Sequence, residues 1–177
     1  VTEVDPALDA EPTEPVEAPA PRPPRKLLLL AAVAVTTAVL DQLTKTWAQD
    51  RLSGGRMLHV VGSLHFNLTY NTGAAFSQGS GKGLGPWISL FAIVVVVAIS
   101  LGSTSRQRLG ALASGLIAGG AVGNLIDRAV RGDAGFLHGA VIDFIDLQWW
   151  PIFNLADSGV VVGAFLLVLA SFRAPAS

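Results

Sequence analysis

The sequence predicts an α-helical membrane protein: four transmembrane helices, a small extracytoplasmic β-sheet or hairpin region, and a loop lying on the membrane face. Three observations predict it. Hydrophobic residues make up 51% of the 177 positions and charged residues only 14%, a balance outside the range of ordinary soluble domains. Four stretches are long or dense enough to cross a bilayer, which takes about 20 apolar residues. Between them lie two segments with strand-like alternation and clustered glycines, a pattern that neither a span nor a short connection has.

In chain order, residues 1–25 are rich in Pro, Ala and Glu with no apolar periodicity, which predicts a disordered acidic cytoplasmic tail. It does not read as a signal peptide, because Arg22, Arg25 and Lys26 follow the acidic stretch and lead into a full-length span. From there to residue 172 we expect one four-helix membrane domain, followed by a short tail over 173–177. The first span is expected over 27–48 and the second over 86–101, where ISLFAIVVVVAISL is short but dense. The third is expected over 109–126, with Gly115, Gly119 and Gly123 at four-residue spacing, a ridge that lets a neighbouring helix approach closely. The fourth is expected over 152–172, behind the interfacial Trp149 and Trp150, with Pro151 suited to a first helical turn. Between spans one and two, MLHVVGSLHFNLTY alternates and a glycine-rich run follows, in which Gly73 and Gly79 offer flexible points; this predicts the hairpin. AVIDFIDL, before the fourth span, also reads as a strand.

Composition excludes several functions. A net charge of −1 offers no basic patch for nucleic acid. The chain has no cysteine, so it has no disulfide, thiolate metal site or cysteine nucleophile. The only histidines are His59, His65 and His138, with no HExxH pair, so no metal site is expected. Orientation follows the positive-inside rule: Arg106 and Arg108 fill the short loop between spans two and three, and with basic residues near both ends they predict cytoplasmic termini.

Alternation of four spans then puts the end of span one, the end of span three and the start of span four on one face. Asp41 and Lys45, then Asn124, Asp127 and Arg128, then Asp143, Asn154 and Asp157 all fall in that layer, and Asn71 hangs over it from the first loop. Some of these have plain structural explanations. Asp41 and Lys45 are spaced i,i+4 for a salt bridge. Asn124 can bond Asp127 or Arg128 on one helix face, and Arg128 can pair with Asp127 or reach headgroups. Asp143 and Asp157 are harder to explain, because neither has a basic residue within one helical turn. Asp157 also lies inside a span, where insertion scales charge about 2.5–3.5 kcal/mol for a central Asp and less near an end.

Two close carboxylates in a poorly hydrated site share one proton and can activate water for attack on an amide. They can also line a transport or proton path, so from the residues alone an aspartic hydrolase and a small four-helix transporter both stand. A non-catalytic assembly factor would leave the pair without a reason.

The chain resembles the lipoprotein signal peptidase (signal peptidase II) family. The resemblance spans about residues 27–172 and is carried by DQLTK at 41–45, YNTGAAFS at 70–77, GGAVGNLIDR at 119–128, VIDF at 141–144 and FNLAD at 153–157. It implies a bacterial membrane aspartic endopeptidase that removes signal peptides from prolipoproteins; we expect a monomer that uses no cofactor. The cut falls just before a diacylglyceryl-modified lipobox cysteine, at the outer face of the cytoplasmic membrane. It implies Asp143 and Asp157 as catalytic residues. Asn71, Asn124, Arg128 and Asn154 would line the site, Asp127 would be structural, and Asp41 with Lys45 would brace the end of span one. Membrane lipid would be the other partner.

Overall fold

The computed structural model of the chain describes residues 25–72, 91, 94, 98, 108–131 and 137–172. Within these, three helices are long and apolar enough to cross a membrane: α1 (Arg25–Leu52), α2 (Arg108–Val130) and α3 (Leu155–Phe172). The expected second span lies almost wholly outside the described residues; Phe91, Val94 and Ala98 within it are helical. The tails, Gly73 and Gly79 lie outside them as well.

Small residues decide how the helices pack. A Cβ on Gly115 would stand 2.7 Å from the Val33 Cβ, and one on Gly119 would stand 2.5 Å from the Ala34 carbonyl oxygen. The glycine ridge of α2 therefore seats α1 almost backbone to backbone, as its spacing predicts. The opposite face repeats the device, with Gly120 against the Ala156 carbonyl and Gly163 of α3 against Ala113 and Ile117. Thus α2 is the central helix, while α1 and α3 turn Val35, Val39, Leu43, Val161, Phe165 and Val168 outward.

Helix α1 is 28 residues long, or about 42 Å at the usual rise, and outruns its expected end at Ala48. The extra turn has a structural use. Ala48 and Leu52 are fully buried and pack under a small sheet with Ile142, Phe144 and Phe66, and Trp47 meets Phe66 edge-on at 5.3 Å. Gly54 and Gly55 then take positive φ to end the helix.

The sheet is antiparallel, in the order β1 (Met57–Val61), β2 (Leu64–Asn71), β3 (Val141–Asp146). Strands β1 and β2 form the expected hairpin, joined by Gly62-Ser63 with Gly62 at φ 57°. Strand β3 adds to it with Thr69 opposite Asp143 and Asn71 opposite Val141, across an irregularity between Phe66 and Thr69. The last helix starts three residues later than the expected Ile152. The backbone of Phe153 is still engaged in a bridge to Ile145, with N–H···O bonds of 3.1 and 2.8 Å. Pro151 therefore precedes the helix and does not open it.

Candidate active site

The polar side chains of the predicted layer form two connected groups. The deeper one is ionic. Asp41 and Lys45 on α1 and Asp127 on α2 have no exposed side-chain surface, and the Lys45 Nζ lies 2.8 Å from a carboxylate oxygen of each aspartate. Arg131 closes on the other Asp127 oxygen at 2.7 Å. Gln42 donates to Asp127 Oδ1 at 3.2 Å and to the Gly123 carbonyl at 3.0 Å. Burying these charges is tolerable only because every one is paired and hydrogen-bonded.

Both aspartates also reach beyond the ion cluster. Asp41 Oδ1 accepts the Ala156 N–H at 2.9 Å, so a side chain of α1 caps the first turn of α3. Asp127 Oδ2 accepts the Ile142 N–H of β3 at 3.1 Å. The residues so held, 142 and 156, directly precede Asp143 and Asp157.

The second group is built from amides. Asn154 is the N-cap of α3: its Oδ1 accepts the Asp157 N–H at 2.9 Å, while Asp157 Oδ2 accepts the Asn154 N–H at 3.2 Å. This reciprocal capping places an acidic side chain where the helix dipole suits it. The Asn154 Nδ2 donates to Asp143 Oδ1 at 2.7 Å, so one side chain touches both acidic residues. Asp143 Oδ2 accepts from Asn71 at 3.1 Å, and Asp157 Oδ1 accepts from Asn124 at 2.8 Å. Arg128, 6% exposed, lies near enough to Asp143, Asp127 and Asp157 to interact with each electrostatically. Burial and the neighbouring Asp157 charge push the Asp143 carboxyl up to about 6, against the pull of Asn71, Asn154 and Lys45.

The amide-held pair faces a cleft of about 860 Å³ whose walls are mostly apolar. Ile117, Ala121 and Leu125 of α2 form one side and Val160 to Val162 of α3 another, and Phe91, Trp149 and Trp150 also line it. Asn71, Asn124, Arg128, Asp143 and Asp157 supply the polar contacts. Among the described residues, no group of three or more His, Asp or Glu is placed to hold a metal ion.

All nine residues singled out in the sequence thus belong to one connected network. The expected Asp41–Lys45 bridge is present. The expected bond of Asn124 to a neighbour on its own helix is not among its bonds, which run to Lys45, Asn154 and Asp157. Gln42 and Arg131 were missed as parts of the network. Both carry polarity into or beside a span, a signal available in the sequence but weaker than a buried carboxylate.

Comparison with known proteins agrees in sequence and in structure. A family profile described as signal peptidase (SPase) II matches residues 33–173. The lipoprotein signal peptidase of Mycobacterium avium (strain 104) is 44% identical over 165 residues, covering 90% of this chain and 88% of that one. The corresponding protein of Rhodococcus jostii (strain RHA1) is 41% identical over 154 residues, covering 85% of this chain and 76% of that one. A bacterial membrane enzyme solved by the in meso method at 2.3 Å superposes with a TM-score of 0.67 at 27% identity, covering 81% of this chain and 87% of that chain. A second such enzyme, at 1.9 Å, gives a TM-score of 0.65 at 29% identity, covering 80% and 91% respectively. With its apolar helices, its cleft and these relatives, the chain belongs to the signal peptidase II family of membrane peptidases.

Proposed function

We propose that this protein removes signal peptides from prolipoproteins by aspartic hydrolysis, cutting just before the diacylglyceryl-modified cysteine. The observation that carries the reading is Asn154, whose side chain touches both Asp143 and Asp157, two residues that line an apolar cleft. A transporter would need no such shared amide, and the relatives named above are peptidases.

The two acidic residues divide the work. Asp157 sits in the reciprocal cap at the start of its helix, where the dipole favours a negative charge, which suits the anion and the role of general base. Asp143, raised to about 6, holds the shared proton. Water attacks the scissile carbonyl carbon and gives a proton to Asp157, while Asp143 protonates the carbonyl oxygen. The tetrahedral intermediate collapses, the C–N bond breaks, and the proton on Asp157 passes to the leaving amine as Asp143 regains its own. The products are a signal peptide with a free carboxyl group and a lipoprotein with a free cysteine amine.

The geometry suits a substrate half in lipid. The signal helix lies along the apolar walls, the acyl chains stay in the bilayer, and the scissile bond reaches the polar layer at the extracytoplasmic face. We take the helical residues 91, 94 and 98 as part of a fourth span; an even number of crossings puts both termini on one side, and the basic residues near them favour the cytoplasm. The reading takes the protein as a monomer, and the water activation it describes draws on carboxylates and amides of this chain. The test is a gel-shift assay on a diacylglyceryl-modified precursor. Wild-type protein converts it to the shorter form. Asp157→Asn and Asp143→Asn, folded and inserted, leave it whole; full cleavage by either would refute the dyad.

A further inference from the structure

Lys45 has used every proton it owns. An ammonium carries three donors, and its contacts are Asp41 Oδ2 and Asp127 Oδ2, each at 2.8 Å, and Asn124 Oδ1 at 2.9 Å. The third bond has a consequence beyond charge pairing. Lysine only donates, so it dictates which end of the Asn124 amide faces it. Asn124 Oδ1 also accepts from Asn154 Nδ2 at 3.1 Å, so turning the amide over would set N–H against N–H at two places. The Asn124 N–H is therefore delivered to Asp157 Oδ1, at 2.8 Å.

The first two bonds act on the backbone. The carboxylates that Lys45 holds are those that accept the N–H groups of Ala156 and Ile142, one residue before each member of the pair. A single cation thus lies behind both acidic residues and behind the Asn124 amide that donates to Asp157.

Resting on the dyad reading above, we propose that Lys45 is the positioning residue that assigns the two roles, locking the Asn124 amide so that Asp157 is kept as the base. The charged groups around it are Asp41 from its own helix and Asp127 from α2, with Arg131 on the far Asp127 oxygen. Around Asp157 are Asp143 from β3 and Arg128 from α2.

The test removes the lock without leaving a buried charge. In the double variant Lys45→Met with Asp41→Asn one positive and one negative charge disappear together. The introduced amide oxygen can still accept from Ala156, and Asp127 keeps Arg131. Cleavage of the lipidated precursor is followed against pH, with thermal unfolding in detergent as the check on folding. The expected result is a fall in kcat of about tenfold or more, the worth of a hydrogen bond to a charged group, with KM little changed. The acid limb of the kcat profile should move to higher pH, and Lys45→Arg should restore much of both. A folded double variant with wild-type kcat and an unmoved acid limb would overturn the proposal.

Asn124→Asp gives an independent measurement. An ionised acid at 124 repels Asp157, whereas a protonated one can donate to it as the amide does. The acid limb should therefore be joined by a fall of activity toward alkaline pH as the second carboxyl ionises; a loss equal at every pH would overturn the proposal. Asp157→Asn run alongside separates the two levels. If it still cleaves, the dyad itself is wrong; if it is inactive while the Lys45 variants behave as wild type, only the role of Lys45 falls.

Discussion

Two pairs of aspartates lie close together in this protein and are held in opposite ways. Asp41 and Asp127 are locked by cations, Lys45 between them and Arg131 beyond, with no exposed surface. Asp143 and Asp157 are held by the amides of Asn71, Asn124 and Asn154 and face a cleft. A carboxylate paired to a lysine is spent, because its charge is fixed and its proton affinity serves nothing but the fold. A carboxylate held by amides is oriented just as firmly, yet remains free to exchange a proton. What separates a structural carboxylate from one placed as the proposed dyad requires is the partner, not the residue type.

The sharpest way to break that contrast is to substitute each pair. Asp157→Asn or Asp143→Asn should lower cleavage by about 10²- to 10⁴-fold, the usual worth of a positioned acid or base, with the fold intact in detergent unfolding scans. Asp127→Leu should act on the fold instead. It strips a partner from the buried Lys45 and the part-exposed Arg131, and the cap from Ile142; breaking a buried pair costs about 3–5 kcal/mol, and thermal unfolding should record the loss.

A third effect distinguishes the pairs by pH. The Asp143 carboxyl is raised from 3.8 to about 6, so the folded protein binds more protons than the unfolded chain between these values. Stability from this group is therefore greatest at acid pH, declines as pH rises through that window, and stays reduced above it. Asp143→Asn should remove the penalty, making an inactive protein more stable than wild type by about 1–3 kcal/mol at pH 8 and little different at pH 4. Unfolding scans at the two pH values measure it, and an equal shift at both would contradict the assignment. Smallest of all, Phe165→Leu on the outward face of α3 should change stability by no more than about 0.5 kcal/mol.

Much of this was legible in the sequence, for identifiable reasons. Hydropathy marks the spans because lipid tolerates little else, and the same cost made Asp143 and Asp157 conspicuous. The glycine ridge announced a close helix contact because only small residues permit one. What the residues could not disclose is registry between distant segments. That Lys45 meets Asp127 depends on how far α1 slides along α2. That β3 joins the hairpin depends on a pairing across some seventy residues of chain, for which neither strand carries a mark. The later start of α3 had the same origin, since Phe153 was claimed by Ile145 before the helix could take it.

The bridge between Ile145 and Phe153 has a wider consequence. It closes residues 145–153 into a loop that carries an acidic residue on either flank, Asp143 before it and Asp157 just after. Their separation is therefore bounded within one short piece of chain, which the bonds of Asp127 to Ile142 and of Asp41 to Ala156 then tie to α2 and α1. Membrane helices tilt and shift as bilayer thickness changes, and the apolar walls of the cleft must move with them. A peptidase built this way keeps a short, bridged tether between its two acidic residues, while the apolar walls of its cleft belong to the spans that follow the bilayer.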